Sequence, residues 1–326
     1  MSQQETLADT NATDLLSDKY GEPAPAEPAT TTFDALKGRI RHHYELCSDY
    51  YYSLWGEHIH HGYFLTPEDT KEKAQLQLIE LLLERSQVSK GSTVLDVGCG
   101  IGGTSRYLAK EFGCNVIGVT ISGRQVEMAR KISLEASSSP ALADGSIKLG
   151  DKDGSVRFVE LDAEKMGEFF TTGLEKKDFD CVWISEAMSH LPDKELFFRN
   201  AQLLLKQGGK LVIADWFKDE NLNEQQMEAD IKPIEDGMLL PPLCTQTDYV
   251  KFAEKAGLTV FSEPMDISKQ VSKTWDISWS LIQNPALWAF AISQGRDGLA
   301  FLQSFRAMRR GFANGNFRYA VISFQK

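Results

Sequence analysis

Asp96 stands inside Thr93-Val94-Leu95-Asp96-Val97-Gly98-Cys99-Gly100-Ile101-Gly102-Gly103, where apolar residues run up to an acid and a glycine-rich turn follows. After the turn, Thr104 to Phe112 reads as a helix. Strand, tight turn and helix start form the layout that receives a nucleotide-like ligand in an α/β sheet. The glycines permit positive φ and close approach of a ligand to the backbone. The first amides of the helix can meet an acidic or polar ligand group. Asp96 would repel a pyrophosphate and suits a ligand that carries an ammonium group. A second group follows an apolar run, Phe179 to Ile184: Ser185-Glu186-Ala187-Met188-Ser189-His190, which offers a carboxylate and an imidazole for proton transfer. A third is His58, His60 and His61 in an aromatic stretch. Neighbours this close rarely converge on one ion, so no metal site is expected from them.

The elements that must hold these groups can be read from spacing. Glu68 to Gln87 carries Ala74, Leu78, Leu81, Leu82 and Val88 at helical intervals and should cover a sheet. The next strand, Asn115 to Thr120, is followed by a helix from Arg124 to Ala136. Gly98, Gly100 and Gly103 satisfy G-x-G-x-x-G, but a nicotinamide site also wants an acid roughly 20 residues further on, where this chain has Thr120. Val156 to Leu161 is a third strand ending in Asp162-Ala163; Asp162 could accept from an adenine amino group or cap the following turn. Glu186 and His190 then lie at the carboxyl end of a central strand, where open α/β sheets keep their ligands. Asp193 should cap a helix from Lys194 to Leu205, with a fifth strand at 210–215. Late strands are expected at 258–265 and 317–324, separated by an aromatic helical insertion around Trp275 and Trp279 that could line a substrate lid. Ser137 to Ser155 reads as a surface insertion without chemistry. Residues 1–32 are polar, acidic and Pro/Ala-rich and should be disordered, with one domain from 33 to 326.

The string Leu95 to Gly102 closely resembles the first motif of S-adenosylmethionine-dependent methyltransferases. Trp55-Gly56-Glu57-His58-Ile59-His60-His61-Gly62-Tyr63 resembles the N-terminal lid of the tocopherol methyltransferase group, which is related to sterol and cyclopropane-fatty-acid methyltransferases. The resemblance implies a Rossmann-like α/β fold: a seven-stranded, mostly parallel sheet with helices on both faces and lid segments near 33–66 and 216–312. It implies S-adenosyl-L-methionine as cofactor. Asp96, Gly98, Gly100 and Gly102 would hold its aminocarboxypropyl tail, with Tyr44 and His60 at tail-contacting lid positions. Thr120, Ser122 and Gln125 would face the ribose, departing from the general family pattern of an acid at that strand end, and Asp162 and Ala163 would face the adenine. Glu186, His190 and His61 are the implied catalytic groups. The acceptor implied is a hydrophobic small molecule, methylated on oxygen, nitrogen or carbon. The alternatives are a non-catalytic cofactor-binding scaffold and an NAD-dependent enzyme.

Composition narrows the rest. The chain has 326 residues, 42% of them hydrophobic, enough for a substantial core. A net charge of −11 without a dense Lys/Arg run argues against nucleic acid as a partner. No apolar run approaches the roughly 20 residues that span a bilayer, and no secretory signal is visible. The five cysteines (Cys47, Cys99, Cys114, Cys181 and Cys244) are scattered and form no C-x-x-C pair, as expected of reduced thiols in a cytoplasmic protein. A homodimer is left open.

Overall fold

Asp96 apart, strand runs such as Val94–Val97 and Cys181–Ile184 are apolar on both faces, the signature of strands sandwiched between helical layers. In the computed structural model they form the middle of a single eight-stranded sheet. The structure describes residues 55–172, 176–281 and 295–326, together with 37, 38, 40, 41, 44, 45, 48, 52, 288 and 292. The tail expected over residues 1–32 lies outside the described residues.

In chain order the elements are α1 (Lys71–Ser86), β1 (Thr93–Val97), α2 (Gly103–Phe112), β2 (Asn115–Thr120), α3 (Gly123–Glu135), β3 (Ile147–Leu149), β4 (Gly154–Glu160), α4 (Met166–Thr171), β5 (Phe179–Ser185) and α5 (Lys194–Leu204). There follow β6 (Leu205–Lys218), α6 (Lys232–Gly237), α7 (Gln246–Lys255), β7 (Thr259–Asp266), α8 (Lys273–Leu281), α9 (Gly295–Asn314) and β8 (Phe317–Gln325). The strand order is β3-β4-β2-β1-β5-β6-β8-β7. Strands β4, β2, β1, β5 and β6 run parallel, while β8 lies antiparallel between β6 and β7.

The sheet has one strand more than expected. The extra one is β3, which pairs antiparallel with β4 at the sheet edge. It lies in the stretch read as a surface insertion. Ile147 and Leu149 turn inward around Lys148, but three residues are too few for a period of two to show in the sequence.

The chain winds from β1 to β2 on one side and later places β5 on the other side of β1. Such a reversal leaves a crevice at the carboxyl ends of the strands. Strand alternation sets what faces it. Val94 joins the core layer under α1 and α2, and Leu95 and Val97 join the opposite layer under α5. Asp96 therefore points to the Val94 side, toward α2. The same alternation puts Trp216 and Tyr319 in the α1 layer, and Phe217 and Ala320 in the other.

Candidate functional site

At the end of β1 the Asp96 carboxylate is 3% exposed and accepts a 2.5 Å hydrogen bond from Ser105 Oγ on α2. Burial pushes its carboxyl up to about 6, against the Ser105 bond, which lowers it. A carboxylate this buried, with one hydroxyl partner, is poised for a cation. Asp96 lines a cleft with Gly98, Cys99, Gly100, Ile101, Gly103 and Thr104 on one wall. Glu57, His58, Ile59, His60 and, from the end of β5, Ser185 complete it.

The expected glycines separate by cause. Gly100 has φ +54 and open space where a Cβ would stand, so its bare face is free for a ligand. Gly102 has φ +78, and a Cβ there would lie 2.5 Å from the Phe158 ring; packing alone demands glycine, and Gly102 does not line the cleft. Gly98 does line it, yet a Cβ there would also strike Ala187. Helix α2 begins at Gly102 with no side-chain cap, leaving its first amides available to a ligand carboxylate.

His60 Nδ1 lies 2.8 Å from the His61 carbonyl, and its Nε2 is buried without a partner among the described residues. The same is true of His58 Nδ1, and burial drives the His58 imidazole down to about 3, so it is neutral in use. Sequence reasoning weighed His58 only as a metal ligand, while His60 and His61 were also given cofactor and catalytic roles. Among the described residues no group of His, Cys, Asp or Glu could hold a metal ion.

At the end of β2, Thr120 Oγ1 donates to Gln125 Oε1 at 2.6 Å, and Ser122 caps α3 through Gln125 N–H. All three are buried. Asp162 caps the turn after β4 through Glu164 N–H, and its other oxygen meets Lys37 Nζ at 2.9 Å. Ala163 opens that turn.

One residue along from the cleft wall, a second constellation forms. Glu186 has φ +55, an unusual backbone for a non-glycine residue. Its Oε1 accepts from His61 N–H at 2.7 Å and from Tyr319 Oη at 2.8 Å, and its Oε2 lies 2.9 Å from His61 Nδ1. Burial would raise the Glu186 carboxyl, but the His61 ring and backbone together with His60 hold it below its ordinary value. Burial, then the adjacent Glu186 charge, push the Tyr319 phenol far up, so it stays protonated and its O–H donates to Glu186. An ionised Glu186 accepts only, so His61 Nδ1 donates to it, which leaves Nε2 as the ring's other polar atom. That Nε2 is buried without a partner among the described residues. Around the His61 ring stand Trp275 at 4.8 Å, Tyr319 at 5.1 Å and Trp216 at 5.8 Å between centroids.

Rigid elements fix this loop. Gln75 on α1 donates to the His60 carbonyl, and Thr274 on α8 accepts from Gly62 N–H at 3.1 Å. His190 borders this cluster, its ring edge-on to Tyr44 at 6.2 Å and 6.4 Å from Trp216. Lys194 Nζ donates to the Leu191 carbonyl at 3.0 Å, and Asp193 caps α5, as its sequence position suggested. Of the aromatic insertion, Trp275 is the wall above His61, whereas Trp279 lies under Arg306 and Arg309, and Leu287 and Phe290 lie outside the described residues. Tyr319 was missed because its partner is 133 positions away and strand alternation marks it only as core.

With this geometry in hand, comparison with known proteins is specific. A family model described as "Mycolic acid cyclopropane synthetase" matches residues 34–142, and one described as "Methyltransferase domain" matches residues 95–213. The chain is 31% identical to the 2-methyl-6-phytyl-1,4-hydroquinone methyltransferase of Synechocystis sp., over 74% of this chain and 67% of that protein. It is 29% identical to the probable chloroplastic tocopherol O-methyltransferase of Oryza sativa subsp. japonica, over 89% of this chain and 78% of the relative. Among solved structures, the mycolic acid cyclopropane synthase CmaA1 complexed with SAH and CTAB superposes with a TM-score of 0.70 at 20% identity, covering 89% of this chain and 98% of that one.

Proposed function

The chain belongs to the class I S-adenosylmethionine-dependent methyltransferases, in the group shared by tocopherol, sterol and cyclopropane-forming enzymes, and from that premise we propose that it methylates a hydrophobic, hydroxyl-bearing small molecule with His61 as proton acceptor. One observation carries the reading: the buried His61, tied to Glu186 through Nδ1, has its Nε2 unpartnered among the described residues, with three aromatic rings packed around the imidazole. When bound, S-adenosylmethionine supplies an electrophilic methyl group on its sulfonium. Buried Asp96 meets the ammonium of its tail, and the amides at the start of α2 meet the carboxylate. His60 and Ser185 line that cleft while their neighbours His61 and Glu186 meet each other, so both loops join the two halves. His61 Nε2 takes the acceptor's proton, and Glu186 stabilises the imidazolium that forms. Trp216, Trp275 and Tyr319 exclude water and contact an apolar acceptor.

The same rings around a carboxylate would also stabilise a carbocation, which favours an alkene carbon as the second reading. S-adenosylhomocysteine release decides between them, measured with hydrophobic phenols or hydroquinones, their methyl ethers and alkenes without hydroxyls. The hydroxylated acceptors should turn over and their ethers should not. His61→Asn should lower kcat by about 10²–10⁴-fold while leaving S-adenosylhomocysteine affinity nearly unchanged. Turnover of the alkenes alone, or an undiminished rate in the variant, would refute the hydroxyl reading.

A further inference from the structure

The β2 end lacks the acid that many relatives of this fold use on the ribose, and the groups present there are engaged with one another. Thr120 and Gln125 bond each other, and Ser122 carries no charge. The structure brings a carboxylate to that spot from elsewhere. Glu45 Oε1 accepts from Ser122 Oγ at 2.8 Å and from Arg124 N–H at 3.3 Å, which places the charge at the β2–α3 junction. We propose that Glu45 supplies the carboxylate for the cofactor's ribose hydroxyls, in place of the acid that β2 lacks.

A cis-diol donates two hydrogen bonds, and a carboxylate can accept both on two oxygens, where an amide offers one. The start of the 13-residue α3 favours a negative charge at that site. Neighbouring residues agree with the placement. Tyr44, adjacent in sequence, has its ring against His190 on the acceptor side. Lys37, from the same stretch, pairs with Asp162 and Glu164 at the end expected to face the adenine. Charged side chains of this stretch thus reach both the ribose and the adenine ends. The assignment rests on the reading that the ribose lies against Thr120, Ser122 and Gln125.

Calorimetry on the full chain tests it, with S-adenosylhomocysteine and its 2′,3′-dideoxy analogue as ligands. The unmodified protein should bind S-adenosylhomocysteine on the order of ten- to a hundredfold more tightly than the analogue, the range for hydrogen bonds to a charged group. Glu45→Gln should reduce S-adenosylhomocysteine to the analogue's affinity and leave the analogue itself unchanged, while Glu45→Asp should keep part of the preference. An equal loss for both ligands, or no change for either, would make Glu45 only a cap of α3 and overturn the proposal. Failure of the unmodified protein to bind either ligand would overturn the cofactor reading beneath it.

Discussion

Asp96 and Gly100 show what a single position contributes. Gly100 gives the ligand room, and Asp96 gives it a charge that the protein itself leaves almost unanswered. That isolation raises the Asp96 carboxyl to about 6. The sign follows directly. The cofactor's ammonium binds the ionised form, so below about pH 6 binding must first expel a proton, and affinity should fall by about tenfold per pH unit. Asp96→Asn keeps the size and the Ser105 contact but removes the charge. We expect it to cost about 2 kcal/mol of cofactor affinity, as lost charge-assisted hydrogen bonds do, and to abolish the acid limb. Calorimetry with S-adenosylhomocysteine between pH 5 and 8 checks both. An acid limb that persists in the variant would move the titration to another group.

Strand β6 serves two faces at once. Its alternation sends Trp216 to the His61 side and Asp215 to the opposite layer, where Asp215 accepts from Trp216 N–H at 2.8 Å and Tyr249 Oη at 3.2 Å. Burial pushes the Asp215 carboxyl up to about 7; its hydrogen bonds and nearby Lys194 oppose the rise, and Glu186 adds to it. A folded value above the unfolded one of about 3.9 means that the native state holds the proton more tightly. The contribution to stability is full below about pH 4 and is lost as pH rises through about 7. Asp215→Asn should therefore flatten the decline in melting temperature between pH 5 and 8; an unaltered decline would assign it elsewhere. The elements that carry such residues were legible wherever a period had room to show. Helix α1, strands β1, β2 and β5, and the capping of α5 by Asp193 lie within a few residues of their sequence positions. Strand β3 was not legible, because three residues cannot display a period. Nor was Glu45, whose bond to Ser122 spans 77 positions and has no local signature.

At the scale of the whole molecule, strand order assembles the cluster around His61. His61 arrives ahead of α1, Glu186 from the end of β5 and Tyr319 from β8, the antiparallel strand held between β6 and β7. Residues far apart in sequence thus meet through strand order, which is why local patterns named His61 and Glu186 but not the phenol that joins them. The Tyr319 ring is fully buried against His61, Trp216's layer and the core, while its hydroxyl donates to Glu186 Oε1. Tyr319→Phe divides the two contributions. The ring stays, so the sheet should form, with a loss of about 1 kcal/mol for one hydrogen bond. Glu186 loses one of the donors that favour its ionised form, its carboxyl should rise, and its hold on His61 Nδ1 should weaken. We expect kcat to fall by about tenfold, in line with a 1–1.5 kcal/mol loss of transition-state stabilisation, with S-adenosylhomocysteine affinity unchanged. Denaturant melts and single-turnover rates measure the two effects separately. A variant that loses stability and keeps its rate would leave Tyr319 a core residue whose hydroxyl merely satisfies Glu186, and would detach the C-terminal strand from the chemistry.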